Sequence, residues 1–351
     1  MSVLAMTDLR QVLRSRVRAE AGGSGRHVLI LAIDGVGVDI ARAVWQRATI
    51  TTMRSVFPTT SSAAWLTSLT GMDVSDHGIP GAYFALDGHE LLDVFTFDGD
   101  LAVPDRGNVF SDARELGYDS FAVLGDLGPY PCSWRDLLLR GATSVPGPTF
   151  VRPSGGRSST PRPAAVARSL ESVLDDLFAT TEKRLAWVYV ELDLHLHAHG
   201  WDDIAIEMLQ VIEEQAVRQA DRDVVVVAYA DHGVVPTRAS PEITNAVDGV
   251  LKAFGASMGG AGRARWVHGP PGSDADLSTV IADALRNDLP VTVSVEDPDE
   301  RFVPRSLGRS RVGDVLLVAQ ADEFLIGPGW THEHGSDLDE ELLVPFAEWS
   351  R

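Results

Sequence analysis

The sequence predicts an open, doubly wound α/β fold, a mostly parallel sheet flanked by helices. Three observations carry this expectation. Three short apolar runs, rich in Val and Ile, each end on an acidic residue. Helix-length segments with periodic apolar positions lie between them. The 351-residue chain is long enough for one large core and a smaller inserted unit.

Taken in order, HVLILAID closes on Asp34, LAWVYVELD on Asp193, and VVVVAYADHG reaches Asp231 at its end. Their length and β-branched content read as buried parallel strands. The segments at 164 to 181 and 203 to 220 fit the helical crossovers that parallel strands require. In such sheets ligands gather outside the carboxyl ends of the strands, where all three aspartates fall. An aspartate after a strand is also an ordinary turn former or helix cap, but three of them, one followed by His232, favour a site.

Two stretches read as insertions. Residues 83 to 160 are rich in Gly, Pro and Asp and lack sustained periodicity, so they either shape a pocket or form surface loops. Residues 236 to 328 combine a helical STVIADALRN with strand-like VTVSVE and VGDVLLVAQ, the makings of a small α/β lid. The expected organisation is a catalytic core at 1–235 and 329–351 with a lid or cap at 236–328.

The formal net charge of −20 excludes a surface built for long nucleic acid, because such affinity comes from Lys and Arg neutralising phosphates. Small phosphorylated substrates stay open, since bound divalent cations would reverse the local sign. The single cysteine, Cys132, reads as a buried small side chain. No run approaches about 18 uninterrupted apolar residues, and the first twenty residues carry charges throughout, so the expectation is a cytoplasmic protein that does not engage membranes.

The chemistry concentrates in a few segments. FPTTSSAAWLTSLTG, at 57 to 71, fits a short helix ended by Gly71 with Ser61 at its N-cap. Ser61 reads either as a plain cap or as a nucleophile placed where free N–H groups and the positive end of a helix dipole suit an anionic phosphorus. Seven of the ten histidines lie in DLHLHAHG, ADHG, HEHG or, as His77, in DHGIPG. That concentration, mixed with carboxylates, suits divalent metals. His27, His89 and His268 read as structural. If residues 193 to 197 are still extended, His195 points with Asp193 and His197. His77 reads as a hydrogen-bonding support for the loop after the 57–71 segment.

The order IDG, FPTTSSAAWLTSLTG, DHGIPG, DLHLHAHG, ADHG and HEHG, spanning residue 27 to 346, resembles the type I phosphodiesterase and nucleotide pyrophosphatase branch of the alkaline phosphatase superfamily. The resemblance implies an alkaline phosphatase-like core with the lid inserted. It implies two metal ions, one held by Asp34, Asp231 and His232 and touched by Ser61, the other by Asp193, His197 and His334. Ser61 stands where the branch usually has a threonine nucleophile and would form a phosphoseryl intermediate. Ala64 replaces the asparagine that usually helps bind phosphoryl oxygens three residues later.

Zinc suits the mixed Asp and His set best, with manganese or iron as alternatives. The substrate would be a small phosphorylated molecule such as a nucleotide or phosphodiester metabolite. Thr60, Ser62, His199 and Arg263 are candidate substrate contacts; Arg263, like Arg265, alternatively reads as a solvated arginine. Phosphomonoesterase and phosphonate hydrolase activities stay open, as does a non-catalytic metal-dependent sensor.

Overall fold

The computed structural model describes residues 3–23, 26–86, 90–128, 132–149, 153–154, 157–158, 162–270, 276–286, 292–327 and 329–350. His89 and most of the Gly-Arg-Ser patch at 155 to 160 fall outside them.

The main sheet has eight strands in the order Leu4–Ala5, Thr49–Arg54, Leu343–Trp349, Val225–Ala230, Val28–Ile33, Arg184–Val190, Asp119–Val123 and Thr143–Val145. Leu343–Trp349 runs antiparallel to both neighbours, and the other pairings are parallel. The Val28–Ile33 strand is buried along its whole length, which is why its sequence is continuously apolar rather than alternating. Its neighbours are the strands leading to Asp193 and Asp231, so the three acidic ends converge at mid-sheet.

The helices flank the sheet in two groups. Pro163–Phe178 and Val38–Val44 pack on Asp203–Asp221, while Leu9–Ala21 packs on Ser61–Thr70 and Val109–Glu115. Leu9, Leu13 and Val17 recur every four residues and are all buried, giving the otherwise charged N-terminal helix its apolar stripe.

The stretch from 83 to 160 is not a simple insertion. Asp119–Val123 and Thr143–Val145 are strands of the main sheet, and Val109–Glu115 is a helix beside them. These strands are short, with Asp119 exposed and Phe121 only half-buried, so the apolar signal is faint. Cys132 is buried and free.

Residues 241 to 326 contain a second, four-stranded antiparallel sheet in the order Ser257–Ala261, Ala264–His268, Val315–Ala319 and Val293–Glu296. Helices Pro241–Phe254 and Leu277–Arg286 pack on each other over it, and Ile243, Val247, Val267, Ile281 and Leu317 form a separate apolar cluster. Among the described residues, no helix is long and apolar enough to cross a membrane.

Candidate metal centre and nucleophile

Asp34 follows the Val28–Ile33 strand directly, and Asp231 follows Val225–Ala230 in the same way. Asp231 Oδ1 accepts from the backbone N–H groups of Gly35 and His232, which locks one carboxylate oxygen and turns the other inward. His232 Nε2 then lies 3.2 Å from Asp231 Oδ2 and 3.5 Å from Asp34 Oδ1. These three buried residues form one group able to hold a cation.

The second group is Asp193, His197 and His334. Asp193 opens the Asp193–His199 helix, so His197, four residues on, shares its face, with Nε2 2.9 Å from Asp193 Oδ2. His334 Nε2 reaches the same oxygen at 3.3 Å. The two groups share a wall: the His232 and His334 rings stack with centroids 3.5 Å apart at 11°.

The histidine tautomers are fixed from behind. Nδ1 of His334 faces the Thr59 carbonyl at 2.5 Å, that of His197 the His332 carbonyl at 2.9 Å, and that of His232 the Gly233 carbonyl at 3.2 Å. A carbonyl only accepts, so each Nδ1 carries a proton and each Nε2 is turned to the cluster, where a cation would take its lone pair in place of any proton held there, an arrangement common among metal-binding imidazoles.

Buried Asp193 Oδ1 and Asp231 Oδ2 have no hydrogen-bond partner. An unpaired buried carboxylate oxygen is expensive unless a cation meets it. Ionisation in the protein alone reflects that deficit. Burial pushes Asp34 well up, helped by the charges of Asp231 and Glu191. Burial and Asp193 push Asp231 up to about 7. Burial opposes charge on Asp193 too, but His197 and His334 outweigh it and hold that carboxyl well below its usual range. Burial likewise disfavours charge on these two imidazoles, yet Asp193 raises them to about 9 and about 10. Protons thus neutralise the carboxylates at the positions where cations fit. The donor set of carboxylates and imidazoles matches divalent metals.

Ser61 faces this pair of groups, with Oγ 3.1 Å from His232 Nε2 and 3.5 Å from Asp34 Oδ1. The N-cap of its helix is Thr60 rather than Ser61, which is the first helical residue. The Thr60 hydroxyl makes no capping bond, and the hydroxyls of Thr60 and Ser62 are buried with no partner. Trp134 holds the next turn by donating from Nε1 to the Ser62 carbonyl at 2.9 Å.

Other expected residues lie elsewhere. His195 does not join Asp193 and His197, because residues 193 to 199 are helical and a two-residue step turns it away; it pairs with Asp202 at 2.9 Å. His199 is exposed, with its ring 4.7 Å from that of His195. His77 is buried between Thr67 Oγ1 and the Ile79 N–H, supporting the loop behind the Ser61 helix. Arg263 is not a substrate contact. It is fully buried, with Nε on Glu341 at 2.8 Å and Nη1 donating to Thr237 Oγ1 and the Ala321 carbonyl, while Nη2 makes no hydrogen bond among the described residues.

Several residues were not foreseen. The Tyr189 hydroxyl lies 2.6 Å from Asp34 Oδ2 and 2.7 Å from Glu191 Oε2. Its one proton serves one carboxyl, and Glu191, pushed up to about 7 by burial and by Asp193, supplies the second. The visible trace was Glu191, an acid inside an otherwise apolar strand end. Glu333 is buried between His197 and His334, with Oε1 3.5 Å from His197 Nδ1 and 3.7 Å from His334 Nε2. The Trp330 ring stacks on His197 at 3.9 Å.

The sequence profile of the type I phosphodiesterase / nucleotide pyrophosphatase family matches residues 28–337. No curated protein matches the chain by sequence. Among solved structures, murine ectonucleotide pyrophosphatase / phosphodiesterase 5 is similar with a TM-score of 0.66 at 15% identity, over 93% of this chain and 88% of that one. An inactive form of the murine protein has been solved in complex with AMP. Phosphonoacetate hydrolase from Sinorhizobium meliloti 1021, in complex with phosphonoformate, is similar with a TM-score of 0.66 at 17% identity, over 92% of this chain and 89% of that one.

Proposed function

Because the chain belongs to the type I phosphodiesterase / nucleotide pyrophosphatase family of the alkaline phosphatase superfamily, metal-dependent hydrolases of phosphoester and phosphoanhydride bonds, we propose that it works through Ser61 and two metal ions. The observation that carries this reading is the placement of Ser61 Oγ against His232 and Asp34, at the shared wall of two three-residue groups with unpaired carboxylate oxygens.

One cation would be held by Asp34, Asp231 and His232 and one by Asp193, His197 and His334, with zinc favoured by the ligand types. Bound there, divalent ions supply charge neutralisation for the phosphoryl group and ease ionisation of a nearby hydroxyl. The protein's own part is geometric. The Ser61–Thr70 helix aims its positive end at the incoming anion, and the unpaired hydroxyls of Thr60 and Ser62 flank the nucleophile. Ser61 Oγ attacks phosphorus, the phosphorus–oxygen bond to the leaving group breaks, and the leaving oxygen takes the bonding pair. Water then attacks the phosphoseryl intermediate from the vacated side and Ser61 is restored, so configuration at phosphorus is retained.

The substrate is proposed to be a small phosphodiester or nucleotide, as the AMP complex of the similar murine protein suggests. A second reading, phosphonate hydrolysis, is supported by the likeness to phosphonoacetate hydrolase, while Ala64, which gives the Ser61 helix no amide donor three residues after the nucleophile, weakens the diester reading. The single buried cysteine is compatible with a cytoplasmic setting.

Turnover of bis-nitrophenyl phosphate, nitrophenyl phosphate and phosphonoacetate in zinc tests the choice. Preferential cleavage of the diester supports the first reading, and preferential release of phosphate from phosphonoacetate replaces it with the second.

A further inference from the structure

Arg263 and Glu341 form a fully buried ion pair outside both metal groups. Glu341 Oε1 accepts from Arg263 Nε at 2.8 Å and Ser336 Oγ at 2.6 Å, and Oε2 from the Ser336 N–H at 2.7 Å, with the Thr59 hydroxyl at 3.1 Å. Three donors reach the carboxylate directly, and the Thr59 hydroxyl shares its one proton between Glu341 Oε2 and the nearer Ser336 carbonyl at 2.9 Å, so the same hydroxyl ties both to the turn before Ser61.

Each partner belongs to a different part of the site. Thr59 is two residues before Ser61 and takes the His334 Nδ1 proton on its carbonyl, while its hydroxyl accepts from the Gly335 N–H at 2.8 Å. Ser336 is two residues after His334. The Glu341 carbonyl accepts from Gly233, the residue after His232. Arg263 sits at the turn between Ser257–Ala261 and Ala264–His268, and its own N–H donates to the His334 carbonyl at 2.7 Å.

The contact is backbone-tight. A Cβ on Gly262, which has φ +53°, would stand 2.0 Å from the His334 carbonyl oxygen, and one on Gly335, at φ +125°, 2.7 Å from the Arg263 nitrogen. The second sheet is therefore interlocked with the His334 loop, which argues against a freely swinging lid.

Resting on the metal-dependent reading above, we propose that Arg263 and Glu341 are positioning residues: the ion pair sets the His334–Ser336 loop and the Thr59–Ser61 turn in register, so that the second sheet determines how His334 meets a metal and where Ser61 stands. Supporting residues around metal ligands typically govern about 10–100-fold in metal affinity or activity. A pair that only adds stability would change neither.

The test compares the full-length protein with Arg263→Met and Arg263→Lys, by calorimetric zinc titration, KM and kcat on bis-nitrophenyl phosphate, and native hydrogen exchange of peptides covering 56–62 and 332–338. The expected result for Arg263→Met is one zinc step weakened about tenfold or more with the other unchanged, kcat lowered more than KM is raised, and faster exchange in both peptides, with partial rescue in Arg263→Lys. Unchanged zinc steps and exchange, with only the melting temperature lowered, overturn the proposal. If Arg263→Met does not fold, Arg263→Lys carries the same comparison. A wild-type protein that binds no zinc refutes the metal-dependent reading, while the exchange data still decide the role of the pair.

Discussion

Metal loading should stabilise this protein by an amount that can be worked out in advance. Each three-residue group has one unpaired buried carboxylate oxygen, so a cation held there would bind the folded state and not the unfolded chain. At free zinc near 100 times the dissociation constant, one site adds about 2.7 kcal/mol. For 351 residues, an unfolding entropy of about 2.1 cal/mol/K per residue sums to about 0.7 kcal/mol/K. Each site therefore raises the melting temperature by about 4 °C and the two together by about 7 °C. The assay is differential scanning fluorimetry of chelator-treated protein at pH 8 with and without zinc.

Asp193→Asn removes one ligand set and leaves Asp34, Asp231 and His232 intact, so it should retain about half the increment. Asp231→Asn should raise the melting temperature of the metal-free form. Asp231 has a folded pKa of about 7 against an ordinary value near 3.9, so above pH 7 its ionisation costs up to about 4 kcal/mol that the amide avoids. A wild-type shift below about 1 °C, or an Asp193→Asn variant with the full shift, would refute the assignment of two protein-built cation sites.

Two further outcomes follow from named contacts. Tyr189→Phe deletes the hydroxyl shared by Asp34 and Glu191, so zinc titration should show the Asp34 step weakened by about tenfold or more and the Asp193 step unchanged; equal weakening of both, or none, would contradict the contact's role. His77 is fully buried and its pKa is lowered to about 3, by burial first and the Arg311 charge second. The unfolded chain takes up a proton there below about pH 6.5 that the folded state refuses, so this contribution to stability falls as pH falls through that window, by about 2 kcal/mol between pH 6.5 and 5. Urea unfolding of wild type and His77→Gln at the two pH values should show a shallower loss in the variant, and parallel losses would refute it.

The sequence was most legible where one residue type served one purpose. The three apolar runs ending in Asp34, Asp193 and Asp231 disclosed both the sheet and the edge where the candidate groups gather, because a parallel strand covered on both faces is nearly continuously apolar. The strand Asp119–Val123 was hidden by its brevity and half-exposed pattern. The helix Leu9–Ala21 was obscured by its charges, although Leu9, Leu13 and Val17 mark its buried face.

At the site, the acids and imidazoles that converge were visible as residues, but what orients them was not. The Thr59, Gly233 and His332 carbonyls exist in every sequence and show their role only in three dimensions. Tyr189 passed as one more aromatic of a strand. Arg263 illustrates the converse error: an arginine in a polar segment reads as solvated or substrate-facing, whereas Glu341, 78 residues away, makes it a buried partner.

The most direct measurement of the central claim is the metal content and bis-nitrophenyl phosphate turnover of Ser61→Ala beside the native protein, with acid-quenched peptide mapping for a phosphoryl group on Ser61. The account predicts equal metal in both proteins, turnover only in the native one, and a phosphorylated peptide containing Ser61. Turnover retained in Ser61→Ala, or phosphate trapped on another residue, would contradict it.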